Sequence, residues 1–293
     1  MHGVPLAAIG AMLGEVLQRK VNLQRALALG GGCIHRAYRL ADGDQDWFLK
    51  LGDAGRNDMF AAEADGLAAL ARAPLRVPRV ICRGETAGRA FLVLEWLTLV
   101  AGTPRAYASL GEQLARTHAV VGARFGWHRD NFIGATPQPN TDDDSWPRFF
   151  CRWRLAPQFA LAKENGHAQL CAEGEALLQV LPALFGGYAP RPSLLHGDLW
   201  CGNAGFTAGG TPAVFDPAVY YGDREADLAM TELFGGFPRD FYAAYRAHAP
   251  LDPGYRVRKT LYNLYHVINH ANLFGGGYAA QAQEMIAALL AEA

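Results

Sequence analysis

His196-Gly197-Asp198-Leu199-Trp200-Cys201-Gly202-Asn203 is the stretch that decides the reading, and Ala213-Val214-Phe215-Asp216-Pro217 follows it. Asp198 and Asn203 stand five residues apart, and Asp216 comes 13 residues after Asn203, behind a short apolar run. An aspartate taken alone is often no more than a turn former. A carboxylate with an amide oxygen at this spacing and a second carboxylate behind a strand is far more specific. The set offers one proton acceptor, Asp198, and two oxygen donors, Asn203 and Asp216. Few hard oxygen ligands suit Mg2+, which keeps waters and nucleotide phosphates in its shell. The pattern therefore points to phosphoryl transfer, where orienting the acceptor hydroxyl and stabilising charge matter more than base strength. His196 reads as a brace of the loop, with a metal ligand as the alternative.

Upstream, Gly30-Gly31-Gly32 lies between two strand-like runs, 21–29 and 34–40. Glycines there let backbone N–H groups turn toward an anion, although a plain flexible hairpin fits too. It is no P-loop, because no Gly-Lys-Ser/Thr follows. Lys50 ends a third strand, Asp46 to Leu51, among apolar neighbours. An unpaired buried charge is expensive, so Lys50 needs a partner. Glu63, on a helix expected over 57–71, is placed to provide it. A glycine turn, a strand lysine and a helix glutamate are what protein kinases use to hold nucleotide phosphates. A purely structural ion pair is the alternative.

The first hundred residues run β-β-β-α-β-β, with a hinge expected at 96–102. Helical patterns then fill 107–121, 146–165, 167–181, 227–234, 238–248, 255–273 and 278–291, and 122–145 reads as a long loop. This predicts an α+β, bilobal fold: residues 1–97 a nucleotide-binding lobe, residues 98–293 a helical catalytic and substrate lobe. The 293 residues are 51% hydrophobic, enough for a sizeable core. Lys+Arg 27 against Asp+Glu 28 leaves a net charge of −1, which offers no electrostatic support for nucleic acid or an anionic membrane. Five scattered cysteines without C-x-x-C read as reduced thiols. With no signal-peptide pattern at the N-terminus, a cytoplasmic protein is expected.

Leu194 to Asn203, Phe215 to Met230 and Phe234-Gly235-Gly236-Phe237-Pro238 together resemble the fructosamine/ketosamine-3-kinase family. So do Gly30 to Tyr38, Phe48 to Lys50, Met59 to Leu67, Phe91 to Leu97 and Phe125 to Asn140, so the resemblance spans nearly the whole chain. It implies the protein-kinase-like fold shared with aminoglycoside phosphotransferases and choline kinases. It implies Asp198 as catalytic base and Asn203 and Asp216 as ligands of Mg2+. Lys50, held by Glu63 under the turn Gly30, Gly31, Gly32, would anchor the phosphates of ATP. Glu95, Trp96, Leu97 and Thr98 would form the hinge that pairs with adenine. The implied reaction phosphorylates the 3-hydroxyl of a ketosamine, a ribulosamine, erythrulosamine or fructosamine. The C3 phosphate, β to the C2 carbonyl, is then eliminated and the amine is freed, a deglycation. Gly52 and Asp223 depart from residues common in relatives, Asn and His respectively; at most a local change of hydrogen bonding is expected.

Trp127, Asp130, Asn131 and Trp200 are the candidates for the sugar, since rings stack on C–H surfaces and amides bind hydroxyls; the alternatives are a proline-pinned surface loop over 125–140 and core packing for Trp200. Asp227 reads as a brace of the catalytic loop from a helix start, with a substrate role as the alternative. Cys33, beside the glycine turn, is a candidate redox switch, its alternative a small hydrophobe. Expected partners are small ketosamines or glycated proteins, with the chain a monomer or weak homodimer. The competing functions are a small-molecule kinase of the aminoglycoside or choline type and a non-catalytic nucleotide-binding module.

Overall fold

A computed structural model of the chain describes residues 3–30 and 35–293. Gly31, Gly32 and Cys33 lie outside the described residues. Helix α1 (Leu6–Leu17) precedes strands β1 (Ala26–Leu29), β2 (Arg36–Asp42) and β3 (Gln45–Asp53). Helix α2 (Asn57–Leu70) then leads to β4 (Val80–Thr86) and β5 (Arg89–Glu95). The five strands form one antiparallel sheet in the order β1-β2-β3-β5-β4. Side chains alternate across a strand, so β3 sorts its residues between two layers. Trp47, Leu49 and Leu51 pack with Ile9 and Leu13 of α1. Phe48 joins Phe60 and Leu67 of α2 on the opposite face. Lys50 shares that second face and is buried toward α2.

The sheet ends at Glu95, and β6 (Leu99–Val100) pairs with a strand of the following lobe. Helix α3 (Pro104–His118) starts where Thr103 Oγ1 accepts from the Ala106 N–H at 3.2 Å, with proline in the first turn. The segment expected as a loop over 122–145 contains a hairpin, β7 (Asn131–Ile133) and β8 (Thr136–Gln138). The helix expected over 146–165 is interrupted. It runs as α4 (Trp146–Phe150), a π-helical turn (Cys151–Leu155) and α5 (Ala156–Glu164). Then come α6 (Ala168–Val180), β9 (Ser193–Leu195), β10 (Ala204–Thr207), β11 (Pro212–Val214) and β12 (Tyr220–Gly222). Strand β10 pairs with β11 and β6, and β12 pairs with β9.

Helix α7 (Arg224–Leu233) begins three residues before its expected start because Asp223 caps it, accepting from the Glu225 N–H at 3.0 Å. Asp223 is fully buried and also accepts from Tyr188 and Tyr262. Helices α8 (Arg239–His248), α9 (Tyr255–Phe274) and α10 (Tyr278–Leu290) complete the lobe. Helix α9 runs through its core, with Leu261, Leu264, Val267 and Ile268 fully buried. Among the described residues no helix is long and apolar enough to cross a membrane.

Candidate active site

The site is built from its bracing outward. Asp227, on α7, accepts from the backbone N–H groups of His196 (2.7 Å) and Gly197 (2.8 Å). Its carboxylate also faces His118 Nε2 at 3.1 Å. Burial pushes the Asp227 carboxyl up, but His118 and these donors outweigh it and hold it below the usual carboxylate range. Two successive N–H groups reach one carboxylate because Gly197 takes φ +83°. A Cβ there would lie 2.1 Å from the Ala218 carbonyl, so only glycine fits.

His196 Nε2 faces the Phe215 carbonyl at 3.1 Å, which makes Nε2 the donor. Its Nδ1 then accepts from the Asp198 N–H at 3.3 Å. Burial lowers the imidazole pKa and favours this neutral form. With both ring nitrogens engaged, His196 is the brace that its position predicted.

Asp198 and Asn203 meet as their spacing requires. Asn203 Nδ2 donates to the Asp198 carbonyl (2.8 Å) and to its Oδ2 (3.0 Å). Asn203 Oδ1 accepts from none of the described residues. Across the cleft, Lys50 Nζ lies 2.7 Å from Glu63 Oε1 and 2.7 Å from Asp216 Oδ1. Asp216 takes φ +58°, a conformation unusual outside glycine, and its side chain is half-exposed. Burial works against the Lys50 charge, yet Asp216 and Glu63 outweigh it and raise the ammonium pKa. Asp216 is held low by Lys50 despite its own desolvation. Desolvation, with Asp216 nearby, pushes Asp198 up to about 7.

Among the described residues no three His, Cys, Asp or Glu gather to hold a metal. The oxygens left at the site are hard ones, Asn203 Oδ1, which accepts from none of the described residues, and the half-exposed Asp216 carboxylate. They fit Mg2+, which takes one or two protein ligands beside phosphates and water.

The other expected residues separate into groups. Gly30 directly follows β1. Glu95 ends β5 with its carboxylate on Arg76 at 2.7 Å, and its backbone N–H donates to the Arg79 carbonyl at 2.8 Å. The Arg39 guanidinium covers the Trp96 ring at 5.2 Å, and Leu97 and Thr98 lead into β6. Trp127 Nε1 donates to Asp65 on α2 at 2.8 Å, where His128 Nε2 also lies at 3.1 Å. Arg129 meets Asp58 of α2 at 2.6 Å. The expected sugar loop therefore ties the second lobe to α2. Asp130 accepts from the Asn140 N–H at 2.7 Å. Asn131 is buried, donates to the Val219 carbonyl (2.7 Å) and accepts from Gln138 (2.7 Å) and Asn140 (2.8 Å). Among the described residues no hydrogen bond joins Asp130 or Asn131 to Asp198. Trp200 is half-buried and meets Phe234 edge-on at 5.8 Å.

Two histidines escaped the sequence reading. His118 closes the brace behind Asp227. His266, on α9, places Nδ1 4.0 Å from Asp198 Oδ1. The signal was present as His266 and His270 at helical spacing within an apolar helix.

Comparison with known proteins gives a consistent picture. The family model described as fructosamine kinase matches residues 5–292. A Synechocystis protein named probable ketoamine kinase is 47% identical over 284 residues, covering 96% of each chain. The protein-ribulosamine 3-kinase of Arabidopsis thaliana chloroplasts is 38% identical over 264 residues, 88% of this chain and 80% of that one. The crystal structure of a Haemophilus somnus protein assigned as a fructosamine-3-kinase superposes with a TM-score of 0.90 at 31% identity, covering 96% of each chain. At 17% identity, aminoglycoside phosphotransferase APH(4)-Ia shares the fold with a TM-score of 0.63, over 97% of this chain and 98% of that one.

Proposed function

Because the chain belongs to the fructosamine kinase family, we propose that it transfers the γ-phosphoryl group of ATP to the 3-hydroxyl of a ketosamine. Residues 1–97 form the nucleotide lobe and residues 98–293 the catalytic and substrate lobe. Backbone groups of 95–98 receive adenine, and Lys50, aligned by Glu63, anchors the phosphates. Asn203 and Asp216 hold Mg2+, which supplies charge neutralisation on the phosphates when bound. Asp198 Oδ1 takes the proton of the acceptor hydroxyl as its oxygen bonds to phosphorus. The bond from that phosphorus to the bridging oxygen breaks, and ADP leaves. Asp198 need be no strong base, since the transition state is loose and the proton moves late. Trp200 walls the sugar, a reading supported by its half-buried ring beside Phe234.

A ribulosamine, free or on a glycated protein, is the substrate favoured by likeness to the plant relative. The product carries phosphate β to a carbonyl, so elimination releases the amine. The protein would do this in the cytoplasm. One observation carries the reading: Lys50 spans Glu63 of the first lobe and Asp216 of the second, 2.7 Å from each. The test supplies ATP, Mg2+ and a panel of ketosamines, detects ADP and locates the phosphorylated carbon by NMR. Turnover at C3 that vanishes in Asp198→Asn is expected. Equal turnover in that variant would remove the catalytic assignment.

A further inference from the structure

His266 occupies the middle of α9 and is 5% exposed. Its Nδ1 is buried and meets no hydrogen-bond partner. Leaving such an atom unpaired costs about 1–3 kcal/mol. Asp198 Oδ1 lies 4.0 Å away, too long for a hydrogen bond. Burial also holds this imidazole neutral, its pKa lowered to about 3. It is therefore no cationic partner for Asp198. A neutral ring keeps one N–H donor and one acceptor. An oxygen at about 2.8 Å from both atoms of this pair would subtend roughly a right angle between them, a geometry open to a hydroxyl that donates to one and accepts from the other.

We propose that His266 Nδ1–H and Asp198 Oδ1 form a two-point seat for the single substrate hydroxyl that is phosphorylated. The inference rests on the ketosamine kinase reading and adds a substrate-positioning residue to it. The hydroxyl donates its proton to Asp198 and accepts from Nδ1–H. That contact occupies one lone pair of the oxygen and leaves the other for phosphorus. A ketosamine presents several neighbouring hydroxyls of similar acidity, and a carboxylate alone does not distinguish them. Two contacts at fixed angle do, by admitting one oxygen in one orientation.

Both halves of the seat are rigid. Asp198 is fixed by Asn203, and its loop by Asp227. On α9, the neighbouring Tyr265 is pinned by its hydroxyl to Gln138 at 2.7 Å. One turn on, His270 packs against Phe234, which meets Trp200, so an aromatic wall adjoins the seat.

The test compares wild type, His266→Leu and His266→Asn on ribulosamine with ATP and Mg2+. It reads ADP release, sugar phosphate yield and the carbon phosphorylated, together with ADP affinity. Losing the donor should lower kcat/KM by about 10- to 100-fold. It should also let ADP release outrun sugar phosphate or scatter phosphate beyond C3, with ADP affinity unchanged. The asparagine variant, which keeps a donor, should restore C3 selectivity. A leucine variant with wild-type kcat/KM, coupling and selectivity overturns the seat while leaving the kinase reading intact. Wild type that turns over no ketosamine overturns the parent reading, and the seat with it. If the leucine variant fails to fold, the 15N signal of His266 in wild type decides. It should shift when ribulosamine binds beside ADP, and an unmoved signal overturns the proposal.

Discussion

The segments His196 to Asn203 and Trp127 to Asn140 are both dense in Trp, His, Asp and Asn. In the first, the backbone is satisfied from outside: Asp227 takes two of its N–H groups and the Phe215 carbonyl engages its histidine. The side chains of Asp198 and Trp200 are thereby left for the cleft. In the second, the side chains do the bracing themselves. Asp130, Asn131, Gln138 and Asn140 bond to one another, and Trp127, His128 and Arg129 hold α2. Polar density alone does not distinguish the two. What matters is whether another element has already met the hydrogen-bonding needs of the loop.

The contrast can be broken by substitution. The largest effect belongs to Asp198→Asn, expected to cut kcat by about a thousandfold or more while the thermal midpoint stays put. Loss of folding in place of loss of turnover would place Asp198 among the braces. Asp227→Ala should come next, destabilising by about 3 kcal/mol in denaturant melts at pH 7. Because the native Asp227 carboxyl lies below the ordinary carboxylate range, its contribution is complete above about pH 4 and fades as pH falls further. The gap between wild type and variant should close in acid, and a gap independent of pH would deny the charge its part.

Asn131→Ala should cost about 2 kcal/mol of stability with the ketosamine KM unchanged. A raised KM without loss of stability would return Asn131 to the sugar. Smallest is Trp127→Phe, which removes the bond to Asp65 and should cost about 1 kcal/mol, read by the same melts. A large fall in kcat there would mean that the ring meets substrate.

The sheet and the long helices were legible because their patterns are local. Alternation in β3 places Lys50 opposite Leu49 and Leu51, and the spacing to Glu63 puts the two in reach. Short elements were not legible. Strands β7 and β8 have three residues each, too few for any period, and pair with each other, Gln138 donating across to Asn131. The start of α7 was missed although its cap is local, Asp223 accepting from the Glu225 N–H; only the buried bonds of Asp223 to Tyr188 and Tyr262 lie far away in sequence. In the candidate site, the proximity of Asn203 to Asp198 was legible because a turn of fixed length joins them. His266 was not, because its meaning arises only where α9 passes beside Asp198.

The ties from Trp127, His128 and Arg129 to α2 bear on affinity for nucleotide. Where a kinase must rotate this helix to bring glutamate to lysine, its apparent affinity falls in proportion to the fraction of molecules already competent. Here Glu63 meets Lys50 while Asp65 and Asp58, on the same helix, are held from the other lobe. With α2 tied at both points the Glu63–Lys50 pair is already formed, so closing this pair requires no rotation of the helix.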